Sequence, residues 1–303
     1  MEFYSAGKLL ISGEYLVLDG ALAFALPTSF GQSLYVEDQT ESCIRWTSYD
    51  VDGTIWMQEE VTIEQLLSEE EVMGTDYRQT LVKVLRAANR QNPRILQTKQ
   101  GFKVESKLTF PRLWGLGTSS TWINNVAQWF DINAYQLLQE SFGGSGYDIA
   151  CAKHHSALFY QLTDLHHPKV ELIDFKPTFV DQLYFVYLNE KQSSRAAIEA
   201  YRAKKELIDK EIQRVTEISR ALTKTAAVEE FKTLLREHEV ILGAILETSP
   251  IQERLFADFD GAIKSLGAWG GDFILAVSPK DPTSYFNQKG YTTVIPYQEM
   301  IAK

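Results

Sequence analysis

The residues best suited to do chemistry lie in one short stretch, whose members are Gly115, Leu116, Gly117, Thr118, Ser119 and Ser120. Its two glycines let the backbone turn tightly and approach a ligand without a Cβ clash. Its three hydroxyl residues can cap a following helix, whose first free N–H groups then point towards an anion. The pattern is typical of a phosphate site, although a capped turn without a ligand would have the same sequence.

Two well-known phosphate motifs do not match this stretch. A P-loop has Lys and then Ser or Thr after its last glycine, and no Lys follows Gly117. The dinucleotide fingerprint G-x-G-x-x-G needs a third glycine where Ser120 stands. Both of these nucleotide-binding classes are therefore excluded for this stretch.

The flanking segments predict a strand before the stretch and a helix after it. Alternating apolar residues over 102–110 indicate a half-buried strand. After the stretch, Ile123, Val126, Ala127 and Phe130 recur at three- and four-residue spacing, which indicates an amphipathic helix. The stretch would then lie where a strand turns into a helix.

Three other segments carry a single charged residue among apolar residues or glycines. Lys8 lies in an apolar strand pattern, where its ammonium must reach water or an anion. Asp148 ends a glycine-rich segment that begins at Ser141, and Asp272 ends another that begins at Leu266. Taken alone, a strand lysine that extends to solvent is the simpler explanation for Lys8.

The composition predicts a two-domain globular protein without a nucleic-acid or membrane surface. The chain has 303 residues, a net charge of −10 and a pI near 5.1, which argues against polyanionic partners. No apolar run has the length of a signal-peptide core or a membrane span. Cys43 and Cys151 have no metal or redox spacing, which predicts buried thiols in a cytoplasmic protein.

The remaining hydrophobic periodicity predicts two regions that differ in their arrangement of helices and strands. Residues 1–165 are expected to form an N-terminal domain, and residues 166–303 a C-terminal α+β domain with helices over one face of an antiparallel sheet. The predicted helices cover 77–88, 134–142, 194–222, 228–246 and 252–265, and the predicted strands of the second region cover 183–188, 273–277 and 291–295.

Taken together, these motifs resemble those of the GHMP kinases, which include galactokinase, homoserine kinase, mevalonate kinase and phosphomevalonate kinase. Residues 6–15 (AGKLLISGEY) resemble the first motif of this family, and residues 111–121 (PRLWGLGTSST) resemble its phosphate loop. Residues 144–148 (GSGYD) resemble its aspartate motif, and residues 267–272 (GAWGGD) its C-terminal glycine motif. Within the family, Tyr15 and Asp272 resemble the residues that phosphomevalonate kinase and its mevalonate-pathway relatives have at these motif positions.

The resemblance implies a two-domain α+β fold with the nucleotide held between the domains. The N-terminal domain would be like the second domain of ribosomal protein S5, and the C-terminal domain would be ferredoxin-like. The glycine stretch would hold the phosphates of ATP, and Ser119 and Glu140 would bind Mg²⁺. Asp148 would accept or orient the proton of the attacking group, and Lys8 would pair with Asp148 and offset charge on the transferred phosphoryl.

The resemblance also implies a reaction and a set of substrate-binding residues. The reaction would be phosphorylation of a small anionic metabolite by Mg-ATP, with mevalonate or phosphomevalonate of isoprenoid biosynthesis as the leading acceptors. A sugar or an amino alcohol is the alternative acceptor, and an inactive binding protein of this fold is the alternative outside the enzymes. The substrate-binding residues would be Glu14, Tyr15, Ser145, Gly146, Ser193, Ser194, Arg195, Gly270, Gly271 and Asp272.

Two features depart from the family pattern. Ser119 and Asp148 are only 29 residues apart, which is shorter than expected between these motifs. Trp122 and Trp269 stand where the family has small residues. These indoles, with Trp114, are expected to fill space, although they could also narrow the nucleotide site or stack on a base.

Overall fold

The computed structural model describes residues 1–98, 100–190, 198–199, 201–203, 208–269 and 271–302. Two β-sheets organise this part of the chain. The strands are β1 (Glu2–Ser12), β2 (Ala23–Gln39), β3 (Cys43–Tyr49), β4 (Ile55–Thr62), β5 (Gly101–Leu108), β6 (Leu158–Gln161), β7 (Lys169–Leu172), β8 (Leu183–Tyr187), β9 (Ala262–Ser265), β10 (Phe273–Val277) and β11 (Val294–Pro296). The helices are α1 (Ile63–Leu67), α2 (Asp76–Gln91), α3 (Arg94–Gln97), α4 (Thr118–Phe130), α5 (Ala134–Ser141), α6 (Tyr147–Lys153), α7 (Asp209–Leu222), α8 (Val228–Leu246), α9 (Ile251–Leu255), α10 (Thr283–Gln288) and α11 (Tyr297–Met300).

The first sheet has the strand order β4-β3-β5-β2-β6-β7, and β1 pairs with β2. Its pairings are antiparallel except that between β3 and β5, which run parallel. β7 pairs with β6, so this sheet continues beyond residue 165, where the sequence predicts a domain boundary. The sheet therefore takes in the first residues of the predicted C-terminal region.

The second sheet, in the described chain, has the order β11-β8-β10-β9 with antiparallel pairing throughout. Helices α7 and α8 separate its first two strands along the chain, and α10 precedes its last strand. This order and these connections are those of a ferredoxin-like unit. The expectation of an α+β fold is confirmed.

Strand β1 packs on both faces of the first sheet, because its successive residues point to opposite sides and contact different cores. Leu10 packs with residues of α2, α4, α5 and α6 in one core. Its neighbours Leu9 and Ile11 pack in another core with Phe185 and Phe273 of the second sheet. β1 is therefore fixed between a helical layer and the C-terminal region.

Two predicted helices differ from the structure. The predicted helix 252–265 ends at Leu255, and Ala262–Ser265 form β9, which pairs with β10. The intervening Phe256–Gly261 segment turns the chain, and all four residues of β9 are buried. The predicted helix 194–222 is interrupted, because Ile208 is the non-helical N-cap of α7; residues 194–197, 200 and 204–207 lie outside the described ranges.

One helix, one strand and the two cysteines are as the sequence predicts. The predicted helix 228–246 and strand 273–277 match α8 and β10 residue for residue. Both cysteines lie within the described residues and are buried, free thiols. None of the described helices is long and apolar enough to span a membrane.

Candidate active site

The glycine turn before α4 is held against β1. The N–H of Lys8 donates to the carbonyl of Leu116 over 2.9 Å, at a shift in the β1–β2 register between Ala6 and Lys8. Gly115 and Gly117 have φ angles of 69° and 96°, which glycine adopts without strain. A Cβ on Gly117 would lie 3.2 Å from Cγ of Lys8. The turn and the Lys8 side chain therefore occupy adjacent space.

The first turn of α4 keeps its N–H groups available. Its N-cap is Gly117, and no described side chain caps the helix, so the expectation of a hydroxyl cap is wrong. The hydroxyl of Ser120 donates instead to Asp148 over 2.5 Å, and that of Thr121 donates to Oε1 of Gln32 over 2.7 Å. Uncapped N–H groups at the start of a helix suit an anion.

Asp148 is brought to this turn by α6, which begins at Tyr147 after a left-handed Gly146. An acidic residue in the first turn of a helix is favoured by the helix dipole. Ser120 is buried and binds Asp148, whereas Ser119 is exposed. The two neighbouring serines therefore have different environments: one orients the carboxylate and the other faces outward.

Lys8 lies beside the same carboxylate without a direct ion pair to it among the described residues. Its Nζ is 5.7 Å from the ring centroid of Tyr147. Burial alone would lower the pKa of Lys8, but Tyr147, Asp148 and Asp272 together raise it above its usual value. Lys8 therefore carries its positive charge at neutral pH. Burial also raises the pKa of Tyr147 to about 12, although Lys8 opposes this rise.

Asp272 reaches the glycine turn from the second sheet. A Cβ on Gly115 would be 2.4 Å from the carboxyl carbon of Asp272, so the carboxylate lies directly on the turn. Asp272 is buried and has a φ of 53°. Its N–H donates to the carbonyl of Glu190 over 2.6 Å, and its carbonyl accepts the N–H of Leu188 over 2.8 Å. The C-terminal region thus completes the site.

A small cavity adjoins these charged residues. It has a volume of about 60 Å³, and its lining includes Glu14, Tyr15, Ser145 and Tyr147. Tyr15 has a φ of 61°, and its ring lies 5.5 Å from that of Tyr201. The structure therefore brings three predicted substrate-binding residues, Glu14, Tyr15 and Ser145, to one cavity. Tyr147, which directly precedes Asp148, lines the same cavity.

Behind the cavity lies a buried charged cluster, defined as Glu14, His238, Glu239 and Lys264, whose last three members were not expected from the sequence. Nζ of Lys264 is 2.5 Å from Oε1 of Glu14. Burial raises the pKa of Glu14 although Lys264 opposes it, and burial with Lys264 holds the pKa of His238 well below its usual value. Burial, opposed by Lys264, raises the pKa of Glu239 to about 7. Lys264 is a lysine among the buried residues of a strand. A lysine within an apolar strand pattern is also the feature that identified Lys8 in the sequence.

The remaining predicted site residues lie elsewhere or outside the described ranges. Glu140 accepts from Gln136 over 2.9 Å and lies 3.5 Å from Arg90, beside a different cavity from that of Glu14. These contacts do not favour its predicted role as a Mg²⁺ ligand. Gly271 is buried next to Asp272. Ser193, Ser194, Arg195 and Gly270 lie outside the described residues.

Trp114, Trp122 and Trp269 are all partly buried, and each packs against a hydrophobic core. Trp122 makes edge contacts with Trp46 and Phe142, and Trp114 makes edge contacts with Phe30 and Phe273. Trp269 packs partly buried against the cluster of Tyr15 and Leu242. These contacts agree with the expectation that the indoles fill space.

The oxygen donors at the site suit Mg²⁺ better than a transition metal. Within the described ranges, no three His, Cys, Asp or Glu side chains converge as a metal site would require. Mg²⁺ is commonly held by one or two protein oxygens together with substrate phosphates. The carboxylate of Asp148 and the exposed hydroxyl of Ser119 are donors of that kind.

Solved kinases share this fold. Mevalonate kinase from Methanococcus jannaschii has a TM-score of 0.71 and 16% identity, over 96% of this chain and 94% of that chain. Phosphomevalonate kinase from Streptococcus pneumoniae, in complex with phosphomevalonate and AMPPNP, has a TM-score of 0.70 and 15% identity over 95% of both chains. Galactokinase from Lactococcus lactis, complexed with galactose, has a TM-score of 0.67 and 13% identity, over 95% of this chain and 87% of that chain.

By sequence, no family profile and no curated protein matches the chain. The structural likeness nevertheless spans nearly the whole length of this chain and of each of these kinases. The chain therefore has the fold of the GHMP kinases.

Proposed function

We propose that the protein is a Mg-ATP-dependent phosphotransferase that acts on a small metabolite. The observation that carries the proposal is the meeting of Lys8, Asp148 and the uncapped start of α4 at one glycine turn. Lys8 is bound to the turn through its backbone, and Asp148 is bound to α4 through Ser120. Phosphoryl transfer depends on positioning and on charge stabilisation, and these groups provide both.

The roles of the residues follow from their chemistry. The backbone N–H groups of the turn and of the first turn of α4 would hold the phosphates of ATP. Asp148 would accept the proton of the attacking hydroxyl or phosphate. Lys8 remains charged and would offset the negative charge on the transferred phosphoryl. Asp272, which lies on the turn, would face the same phosphates.

Magnesium would be held at this point by the nucleotide together with Asp148 or Ser119. When bound, it would neutralise part of the phosphate charge and so permit the nucleotide to lie beside Asp148 and Asp272. Glu140 stays a prediction as the second acidic ligand, since its described partners are Gln136 and Arg90.

Mevalonate or phosphomevalonate is the leading acceptor, since kinases with these names share the fold at TM-scores of 0.70 and above. The likeness to a galactokinase keeps a sugar as the alternative acceptor. The alternative that is not an enzyme is an inactive binding protein of this fold. The presence of Lys8 and Asp148 argues against it. A cytoplasmic location and a small anionic substrate remain part of the proposal.

The test is ADP release from Mg-ATP with mevalonate, phosphomevalonate, homoserine, galactose or no acceptor. Acceptor-dependent release that disappears in Asp148→Asn would support the kinase and identify its acceptor class. Binding of ATP should be measured separately by calorimetry. No release with any acceptor, in a protein that still binds ATP, would favour the inactive alternative; no ATP binding at all would contradict the proposal.

A further inference from the structure

A second cavity lies between helix α2, the segment that precedes it and the end of α5. Its volume is about 330 Å³, which is within the range of pockets that hold small molecules. The described residues that line it include none that lines the cavity beside Glu14. They are Glu71, Val72, Gln79, Val82, Lys83, Arg86, Arg90 and Glu140.

Three cations of α2 give this cavity an excess of positive charge. Lys83, Arg86 and Arg90 follow one another at three- and four-residue spacing, so they lie on one face of the helix. Only two carboxylates, those of Glu71 and Glu140, line the cavity with them. The chain as a whole has a net charge of −10. A local excess of positive charge on such a protein favours an anion at this place.

Two of the three cations have no carboxylate partner among the described residues. Nζ of Lys83 donates to the carbonyl of Ser141 over 2.5 Å. Nη2 of Arg86 donates to the carbonyls of Gln65 over 2.7 Å and of Glu70 over 2.9 Å. Carbonyl oxygens satisfy these hydrogen bonds but carry no net charge. Two positive charges therefore remain to be offset, which is the charge of a dianionic phosphate group.

The two arginines also have donors for such a group. Nε of Arg86 is buried and donates to no described residue, which native proteins rarely leave unexplained. Arg90 lies 3.5 Å from Glu140, and its side chain is 62% exposed. An exposed ion pair contributes little, so Arg90 is able to exchange this carboxylate for a ligand. Guanidinium groups match the geometry of phosphate oxygens.

We propose that this cavity binds a dianionic phosphate group, held by Lys83, Arg86 and Arg90. The inference goes beyond the proposed function and does not depend on it, because the cavity takes in none of the groups at the glycine turn. Two kinds of ligand carry this chemistry, inorganic phosphate and the phosphomonoester of a small metabolite. Val72 and Val82 provide apolar surface for the carbon chain of the second kind.

The test titrates inorganic phosphate, glycerol 3-phosphate and glycerol into the protein by calorimetry, with and without saturating Mg²⁺ and a non-hydrolysable ATP analogue. At least one phosphate probe should bind with the same Kd in both conditions, and glycerol should not bind. Tighter binding of glycerol 3-phosphate identifies a phosphomonoester as the ligand, and equal affinity identifies free phosphate. Binding of neither phosphate probe, or displacement of the probe by the nucleotide analogue, would overturn the inference.

Variants locate the bound probe in the cavity. Lys83→Gln and Arg86→Gln should each weaken binding at least tenfold, because each removes a charged hydrogen-bond donor. Arg78→Gln is the matched control: Arg78 is also half-buried on α2, and its Nη1 donates to the carbonyl of Glu60 over 2.5 Å, but it does not line the cavity. Its affinity should stay within about twofold of wild type. Equal losses in the Arg78 and Arg86 variants would contradict a site at this cavity.

A double variant keeps the test decisive if Arg86→Gln disturbs the segment that Arg86 holds. Lys83 and Arg90 are both exposed, so Lys83→Gln/Arg90→Gln should fold, with a melting temperature close to that of wild type. It should weaken binding of the phosphate probe more than Lys83→Gln alone. Wild-type affinity in the double variant would overturn the inference whatever Arg86→Gln does.

The two proposals can fail separately. Probe binding needs no turnover, so binding that depends on Lys83 and Arg86, without ADP release, would contradict the kinase and leave this inference intact. ADP release in a protein that binds neither phosphate probe would support the kinase and overturn the inference. Lys8→Gln should leave the affinity for the probe within about twofold; a tenfold loss would place the probe at the glycine turn and overturn the inference.

Discussion

The carboxylate of Asp272 lies directly over the backbone of Gly115, where a Cβ would come within 2.4 Å of its carboxyl carbon. The contact joins the second sheet to the turn proposed to hold phosphates. It also places a negative charge beside a site for anions, and Lys8 is close enough for Asp272 to raise its pKa. The site therefore depends on a balance of charges as well as on the shape of the turn.

We predict that Gly115→Ala impairs nucleotide binding. The left-handed conformation costs a non-glycine residue about 1–2 kcal/mol, and the new methyl group would also displace Asp272. The KM for Mg-ATP should rise at least tenfold. Gly143→Ala is the control, because Gly143 has a similar φ of 71° but no atom within 4 Å of the position that a methyl group would occupy; its KM should stay within twofold. Equal effects in the two variants would show that strain alone is responsible.

Ser120→Ala should lower kcat. Its hydroxyl donates to a carboxylate, and hydrogen bonds to charged groups contribute about 1.5–3 kcal/mol, so we expect a loss of about ten- to a hundredfold. The KM for ATP should change little, and initial rates at saturating ATP will measure the effect. An unchanged kcat would mean that Asp148 is oriented without Ser120.

The two predicted Mg²⁺ ligands can be distinguished by titration with Mg²⁺. Ser119→Ala should raise the Mg²⁺ concentration needed for half-maximal rate, because the exposed hydroxyl is a hard oxygen donor. Glu140→Gln should leave that concentration unchanged, because the described contacts of Glu140 are with Gln136 and Arg90. The reverse pattern would restore Glu140 as the ligand.

Lys8→Gln should reduce kcat by about a hundredfold or more, as expected when a group that stabilises transition-state charge is removed. Calorimetry should still detect binding of ATP. Lys107→Gln is the matched control, since Lys107 is also a strand lysine over an aromatic ring, 5.0 Å from the centroid of Tyr35, but is exposed. A similar loss in both variants would indicate a general effect of lost charge.

Stability should fall as the pH rises through the range in which Glu239 titrates. Its pKa is raised from 4.5 in the unfolded chain to about 7 by burial and by Glu14, although Lys264 opposes the rise. The folded protein therefore binds more protons than the unfolded chain between these values, and the free energy of unfolding decreases over that window by up to about 3 kcal/mol. Glu239→Gln should flatten this part of the curve in urea unfolding; an identical slope in both proteins would contradict the prediction.

Much of the site could be predicted because its residues lie in short, ordered motifs. The tight turn at Gly115 and Gly117, which have positive φ angles, follows from the glycine spacing. The placement of Lys8 and Asp148 beside that turn was implied by the resemblance to the GHMP kinases, since Lys8 taken alone would be expected to extend to solvent. The sequence could not decide which of two adjacent serines faces Asp148, because that choice depends on where α4 begins. Gly117 as N-cap turns Ser120 inward and Ser119 outward.

The cluster around Lys264 was missed for a different reason. Residues 252–265 have an apolar spacing that favours a helix, yet Ala262–Ser265 pair with β10 as a strand. Sheet pairing is a contact between distant parts of the chain, and local periodicity does not record it. With the segment taken as a helix, the burial of Lys264 and its pairing with Glu14 could not be predicted.

The core that Leu9 and Ile11 share with Phe185 and Phe273 has a consequence for unfolding. Separation of the two sheets would expose these large apolar side chains to water, so neither sheet retains its full stability alone. Such coupling makes denaturation cooperative across both regions. The protein should therefore melt in a single calorimetric transition, and lose the geometry at Lys8 in the same step as the strands of the second sheet.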